Sequence, residues 1–314
     1  MKNWLIVIGS VFAILITLVI LLSFSLMTAP MAVAQTEPTI EPFLQTDFQV
    51  VSGDVQRPNG LFWYDGFLYT GCAGDWTLYR IHGKTGETAT YIFGIKNTHM
   101  LYVEDGPNNH AMVWAADFLS NQVVRVHQDE GLIPVKEGLA NPWGLAPSAT
   151  DDSFYITQWG SDDIIRMTRD GQVNVVAANF NDPSGIAVTE DSIYVANNAS
   201  ARRAVEWLDI SDPAATPQPL ISGLQKVTNL TLGPDGKLYI AYALGTRGVV
   251  GRVDPEVCKA NGGCTNTQVE LIVWTELAAP LAGLTISPDM ELYVHTMYGS
   301  EIYWLQLPKE GAES

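Results

Sequence analysis

Gly138-Leu139-Ala140-Asn141-Pro142-Trp143-Gly144-Leu145 joins the end of one short run of β-forming residues to the start of the next. Downstream follow Phe154-Tyr155, then Asp163 to Met167, then the turn Arg169-Asp170-Gly171 and the run Val173-Asn174-Val175-Val176, after which Asn179 to Gly185 repeats the junction. Each run is rich in aliphatic and aromatic residues and is bounded by Gly, Asp, Asn or Pro, the signature of short strands joined by tight turns. Four such strands make up one unit.

Working outward, the same junction falls at Gly53 to Gly60, Gly94 to Met100, Gly223 to Asn229 and Glu276 to Gly283. The second members of the six junctions are 40, 44, 41, 44 and 54 residues apart, the length of a four-stranded propeller blade. Aromatic pairs mark the second strands: Leu68-Tyr69, Val113-Trp114, Phe154-Tyr155, Ile193-Tyr194, Leu238-Tyr239 and Leu292-Tyr293. The expected fold is all-β, a six-bladed β-propeller. Only 31 residues follow Gly283, enough for three strands, so Phe48 to Gly53 is expected to supply the fourth and close the ring.

Trp4 to Met27 is an almost uninterrupted apolar run preceded by Lys2, with no acid before Glu37. It predicts an N-terminal hydrophobic helix outside the fold. Its 24 residues suit a membrane anchor, whereas Ala32-Val33-Ala34-Gln35 suits signal cleavage, so residues 1–34 are a signal peptide or membrane anchor and residues 35–314 the propeller. Either way the propeller is exported, in contact with a membrane only through that segment.

A formal charge of −17 from 17 basic and 34 acidic side chains would repel a phosphate backbone, which argues against nucleic-acid binding. In an oxidising compartment, Cys258 and Cys264, which bracket the insertion lengthening blade five, are expected to form a local disulfide, and Cys72 to be a small buried hydrophobe.

In a propeller the outer-to-inner loops and the second-to-third loops emerge on one face, around the mouth of the central channel. One ring of side chains there comes from the residue before each inner-strand marker: Asn59, His99, Trp143, Ser184, Thr228 and Ala282. A second comes from the ends of the second strands: Cys72, Asp117, Gln158, Asn197, Tyr242 and Thr296. His295 stands one residue earlier in blade six, in a column otherwise of Gly71, Ala116, Thr157, Ala196 and Ala241. Trp159, Arg202 and Arg247 surround these rings. The expected ligand-binding set is therefore Asn59, Asp117, Trp143, Gln158, Trp159, Asn197, Tyr242, Arg202 and Arg247, with His99 and His295 as candidate catalytic acid or base. An Asp117 beside His99 would orient its imidazole.

The strings Asn141-Pro142-Trp143-Gly144-Leu145, Asp182-Pro183-Ser184-Gly185-Ile186 and Gly233-Pro234-Asp235-Gly236-Lys237-Leu238-Tyr239 resemble NHL-type repeats and the blades of the gluconolactonase and paraoxonase superfamily. That resemblance implies a six-bladed propeller and, in its lactonase branch, a divalent cation, often Ca2+, on carboxylates and asparagines at the channel floor. Asn59 matches that pattern and Asp117 is the nearest acid, so these two are the metal candidates. The inner ring itself carries no carboxylate, which favours an exported propeller that binds a small ligand or a protein partner at the mouth. A calcium-dependent lactonase-like hydrolase, a propeller-type lyase and an accessory subunit of a membrane complex are the alternatives.

Overall fold

The computed structural model describes residues 41–212, 214–296 and 298–309. The expected N-terminal hydrophobic helix and its cleavage site lie outside them. Six sheets follow in chain order, each built on a four-stranded antiparallel meander from an inner to an outer strand. The inner strands are Pro58–Tyr64, Thr98–Asp105, Pro142–Pro147, Pro183–Val188, Gln225–Leu232 and Leu281–Ile286. Outer strands of the first five blades are Thr88–Phe93, Gly131–Glu137, Val173–Ala178, Gln218–Ser222 and Glu270–Ala278. In the sixth sheet the outermost strand is Gln49–Ser52, antiparallel to Ile302–Gln306, with Gln49 opposite Trp304 and Val50 opposite Tyr303.

Apolar residues on the facing surfaces of neighbouring sheets form six separate cores, one per blade pair. Blades one and two share Tyr69, Leu78, Leu101, Val113 and Val124; blades six and one share Val51, Leu61, Leu68, Tyr293 and Ile302. Burying both faces of every sheet is what lets a propeller grow without a central core. Trp114 is buried in such a layer, and Trp63, Trp207, Trp274 and Trp304 pack against others.

Close approach of the inner strands explains the marker glycines. A Cβ on Gly185 would stand 2.6 Å from Leu230 N, and one on Gly144 would stand 2.4 Å from Ser184 O. Hydroxyls then staple one blade to the next: Thr157 donates to Ser184 O, Ser184 to Val227 O and Thr228 to Leu281 O, at 2.7, 2.9 and 2.7 Å.

The blade-five insertion contains the helix Pro255–Ala260, N-capped by Asp254, and the two-residue strand Cys264–Thr265. Cys258 and Cys264 are disulfide-bonded. That short strand runs parallel to the outer strand of blade four, pairing Ile221 with Cys264, so blade four has five strands. An insertion in one blade thus extends the sheet of another, which spacing alone did not reveal.

Candidate functional site

The mouth of the channel is uneven. On blades two and three, His99 stacks on Trp143 with ring centroids 3.5 Å apart and planes within 3°, and Trp143 stacks on Trp159 at 4.8 Å. Trp143 is the ring common to both stacks. Phe118 closes the edge of the stack, 5.2 Å from His99 and 5.6 Å from Trp143, perpendicular to both. The pieces come from two inner-strand starts and two second-to-third loops, the convergence that propeller topology produces.

Beside the stack runs an amide relay. Asn59 Nδ2 donates to Asn97 Oδ1, and Asn97 Nδ2 lies 3.3 Å from His99 Nε2. Donation by Asn97 makes His99 Nε2 an acceptor and puts the imidazole proton on Nδ1. Burial pushes the His99 pKa down to about 3, so the ring is neutral at ordinary pH. Asn59 Oδ1 is left buried without a hydrogen bond. A buried acceptor without a donor costs about 1–3 kcal/mol, so this atom favours a ligand or water that supplies one. Asn97, absent from the sequence-derived rings, orders the relay; its only signal was its place two residues before His99.

His295 is fully buried, and its pKa is lowered to about 4 by burial, with the backbone of Thr296 and Asn59 pulling weakly the other way. Neither ring nitrogen makes a well-formed hydrogen bond. Its ring abuts Gly283, whose Cβ would stand 2.3 Å from His295 Nε2. The equivalent position in blade three is Thr157, the inter-blade staple, so His295 occupies a joint between blades six and one.

Several expected ligand residues are engaged elsewhere. Asp117 accepts from the backbone amides of Lys96 and Asn97 at 3.2 and 3.1 Å and does not orient His99. Gln158 Oε1 accepts from Ala140 N and Asn197 Oδ1 from Asn181 N, both at 2.8 Å. Thr296 donates to Ala278 O. All four side chains hold the loop that leads into their own blade, one repeated role. Tyr242 packs into the apolar layer between blades four and five, its pKa raised to about 12 by burial. Arg247 is paired with the Glu276 carboxylate at 2.7 Å, and Arg202 is exposed in the blade-four loop. Cys72 is buried, its thiol pushed up to about 12 by burial, which excludes a thiolate nucleophile at neutral pH.

The calcium reading fits poorly. Ca2+ takes roughly six to eight oxygen ligands. Here the buried amide oxygens without a hydrogen bond are Oδ1 of Asn59, in the relay, and Oδ1 of Asn229, in the channel, while Asp117 is committed to two amides. Around Asn229 the six inner strands line a cavity of about 150 Å³ that includes Leu61, Met100, Leu145, Ile186 and Leu284 and carries no charged side chain.

No family model matches the chain, and no curated protein matches it. Solved structures do. The gluconolactonase XC5397 from Xanthomonas campestris is 13% identical, covering 83% of this chain and 89% of its own, with a TM-score of 0.64. Catalytically inactive virginiamycin B lyase from Staphylococcus aureus, a histidine-to-alanine variant solved with quinupristin, is 17% identical over 85% of this chain and 90% of its own, with a TM-score of 0.57. A chain of a nidogen/laminin complex is 19% identical over 69% and 84%, with a TM-score of 0.55. Such identities bear on fold alone. The chain is a six-bladed β-propeller whose fold is similar to those of the gluconolactonase and virginiamycin B lyase propellers.

Proposed function

We propose that this chain is an exported propeller that binds a small ligand at the mouth of its channel, against Trp159 and the Asn59–Asn97–His99 relay. The observation that carries the reading is the unpartnered buried Asn59 Oδ1 beside a preformed aromatic stack. Trp143 contacts three rings, those of His99, Phe118 and Trp159, whereas Trp159 contacts Trp143 alone of these, so Trp159 is the member assigned to meet the ligand. The ligand class is a planar aromatic group bearing an N–H or O–H donor. Benzamide is the simplest probe: saturation-transfer NMR should show contact with its ring, and Trp159→Ala should weaken binding about 10-fold. Equal saturation of benzamide by the wild type and Trp159→Ala would overturn the reading.

A protein partner at the same face is the second reading, favoured by exposed Trp76, Phe93, Leu119, Leu244 and Tyr298, all at that end of the blades. Hydrolase or lyase activity is the third, supported by the gluconolactonase and lyase neighbours. His99 and His295 are then the bases to replace, with turnover of a lactone panel as the readout. Neither has a carboxylate to orient it, which places this reading below binding.

The Cys258–Cys264 disulfide supports an oxidising compartment. Residues 1–34 serve as the signal or anchor and as the only membrane contact; intact mass of the mature protein distinguishes cleavage from retention. Pairing of Gln49–Ser52 with the sixth sheet acts as the clasp of the ring.

A further inference from the structure

On the opposite end of blade two, away from the channel mouth, two turns bring His110, His127 and Asp129 together. His110 follows the turn Pro107–Asn109 between the inner and second strands; His127 and Asp129 sit at the turn between third and outer strands. His110 Nδ1 lies 3.4 Å from Asp129 Oδ1, and His127 Nδ1 lies 4.0 Å from Asp129 Oδ2. One donor atom from each residue falls within 4.8 Å of the other two. Ligand atoms of a tetrahedral zinc site, with bonds of about 2.0–2.1 Å, stand about 3.3 Å apart, so small side-chain rotations complete the geometry.

Three further observations point the same way. His127 is buried, and its Nε2 donates to Pro107 O at 3.1 Å while Nδ1 receives a long contact from Asp129 N at 3.3 Å. That fixes the tautomer with the Nδ1 lone pair toward the cluster, and a backbone carbonyl on the far nitrogen is the usual support of a metal-bound imidazole. His110 Nδ1 is buried and makes no hydrogen bond. Asp129 is oriented by Asn108 Nδ2 at 2.9 Å on Oδ2. The His110 ring and the Asp129 carboxylate are partly exposed, so the fourth position opens to solvent.

We propose that His110, His127 and Asp129 form a binding site for a borderline divalent cation of the Zn2+ class, held through two imidazoles and one carboxylate. Two nitrogen donors select Zn2+, Co2+, Ni2+ or Cu2+ over Ca2+ and Mg2+. Binding uses one lone pair of each imidazole and displaces the long Asp129 N contact to His127.

The test is titration of the chelator-treated full chain, purified with a tag free of histidine, with Co2+ followed by visible absorption and with Zn2+ by calorimetry. One equivalent should bind, with tetrahedral Co2+ bands in the visible. His110→Ala and Asp129→Asn should each lose at least about 10-fold in affinity, and Asn108→Ala about 10-fold, while His82→Ala binds as the wild type does. Circular dichroism of each variant establishes that it is folded. Absence of stoichiometric binding, or binding unchanged in folded His110→Ala and Asp129→Asn, overturns the proposal.

Discussion

His99 and His295 meet the same physics from two directions: both are buried, both are held below the ordinary histidine pKa of 6.5, and neither has an anionic partner. Unfolding releases them to titrate normally, so below about pH 6.5 the unfolded chain binds protons that the folded chain refuses. Their contribution to stability is therefore complete above that pH and is lost as pH falls toward their folded values near 3 and 4. Urea unfolding at a series of pH values should show this decline, and it should shrink in His295→Gln; NMR signals of the two rings should stay constant from pH 8 to about 5. Gly185 makes a separate prediction at this scale. Its missing Cβ leaves room for the Leu230 backbone at 2.6 Å, so Gly185→Ala should cost about 1–3 kcal/mol in chemical denaturation, through strain and not through flexibility.

At the level of strands and loops, the joints between blades are polar. Thr228→Val keeps the shape but removes the bond to Leu281 O, leaving a buried carbonyl unpaired, and should destabilise by about 1–3 kcal/mol with no change in ligand affinity. This scale also shows where sequence reasoning ran short. Position along a strand located Asp117, Gln158 and Asn197 at the channel end of their blades, yet a residue at a strand end has a choice between facing the mouth and capping its own loop. The choice is made by backbone amides that the loop leaves unsatisfied, at Lys96, Asn97, Ala140 and Asn181, and those are visible only once the loop is folded. His99 and Trp143 were legible because consecutive inner strands must converge. The His110–His127–Asp129 cluster was not, since its members come from two turns whose contact depends on how the blade's meander folds.

Across the whole molecule, the propeller was readable because its period is long, repeated and punctuated by turns, so that errors in single strands do not accumulate. Blade four is the exception: its fifth strand is borrowed from sequence assigned to blade five. Deleting residues 41–53 removes the strand lying on the sixth sheet and should leave a chain that is aggregated or lacks cooperative unfolding; a monomeric, cooperatively unfolding product would show that the sixth sheet holds without that strand. The borrowed strand carries a consequence of its own. Cys264 is both a disulfide partner and the residue that shields the backbone of Ile221, so a reductant acts on more than a short covalent loop. Losing the cross-link should cost about 2 kcal/mol and loosen the cover over the rim of blade four, where bare amides and carbonyls can recruit another chain. Light scattering of the reduced protein, or of Cys258→Ser with Cys264→Ser, should then reveal concentration-dependent self-association that the oxidised form resists.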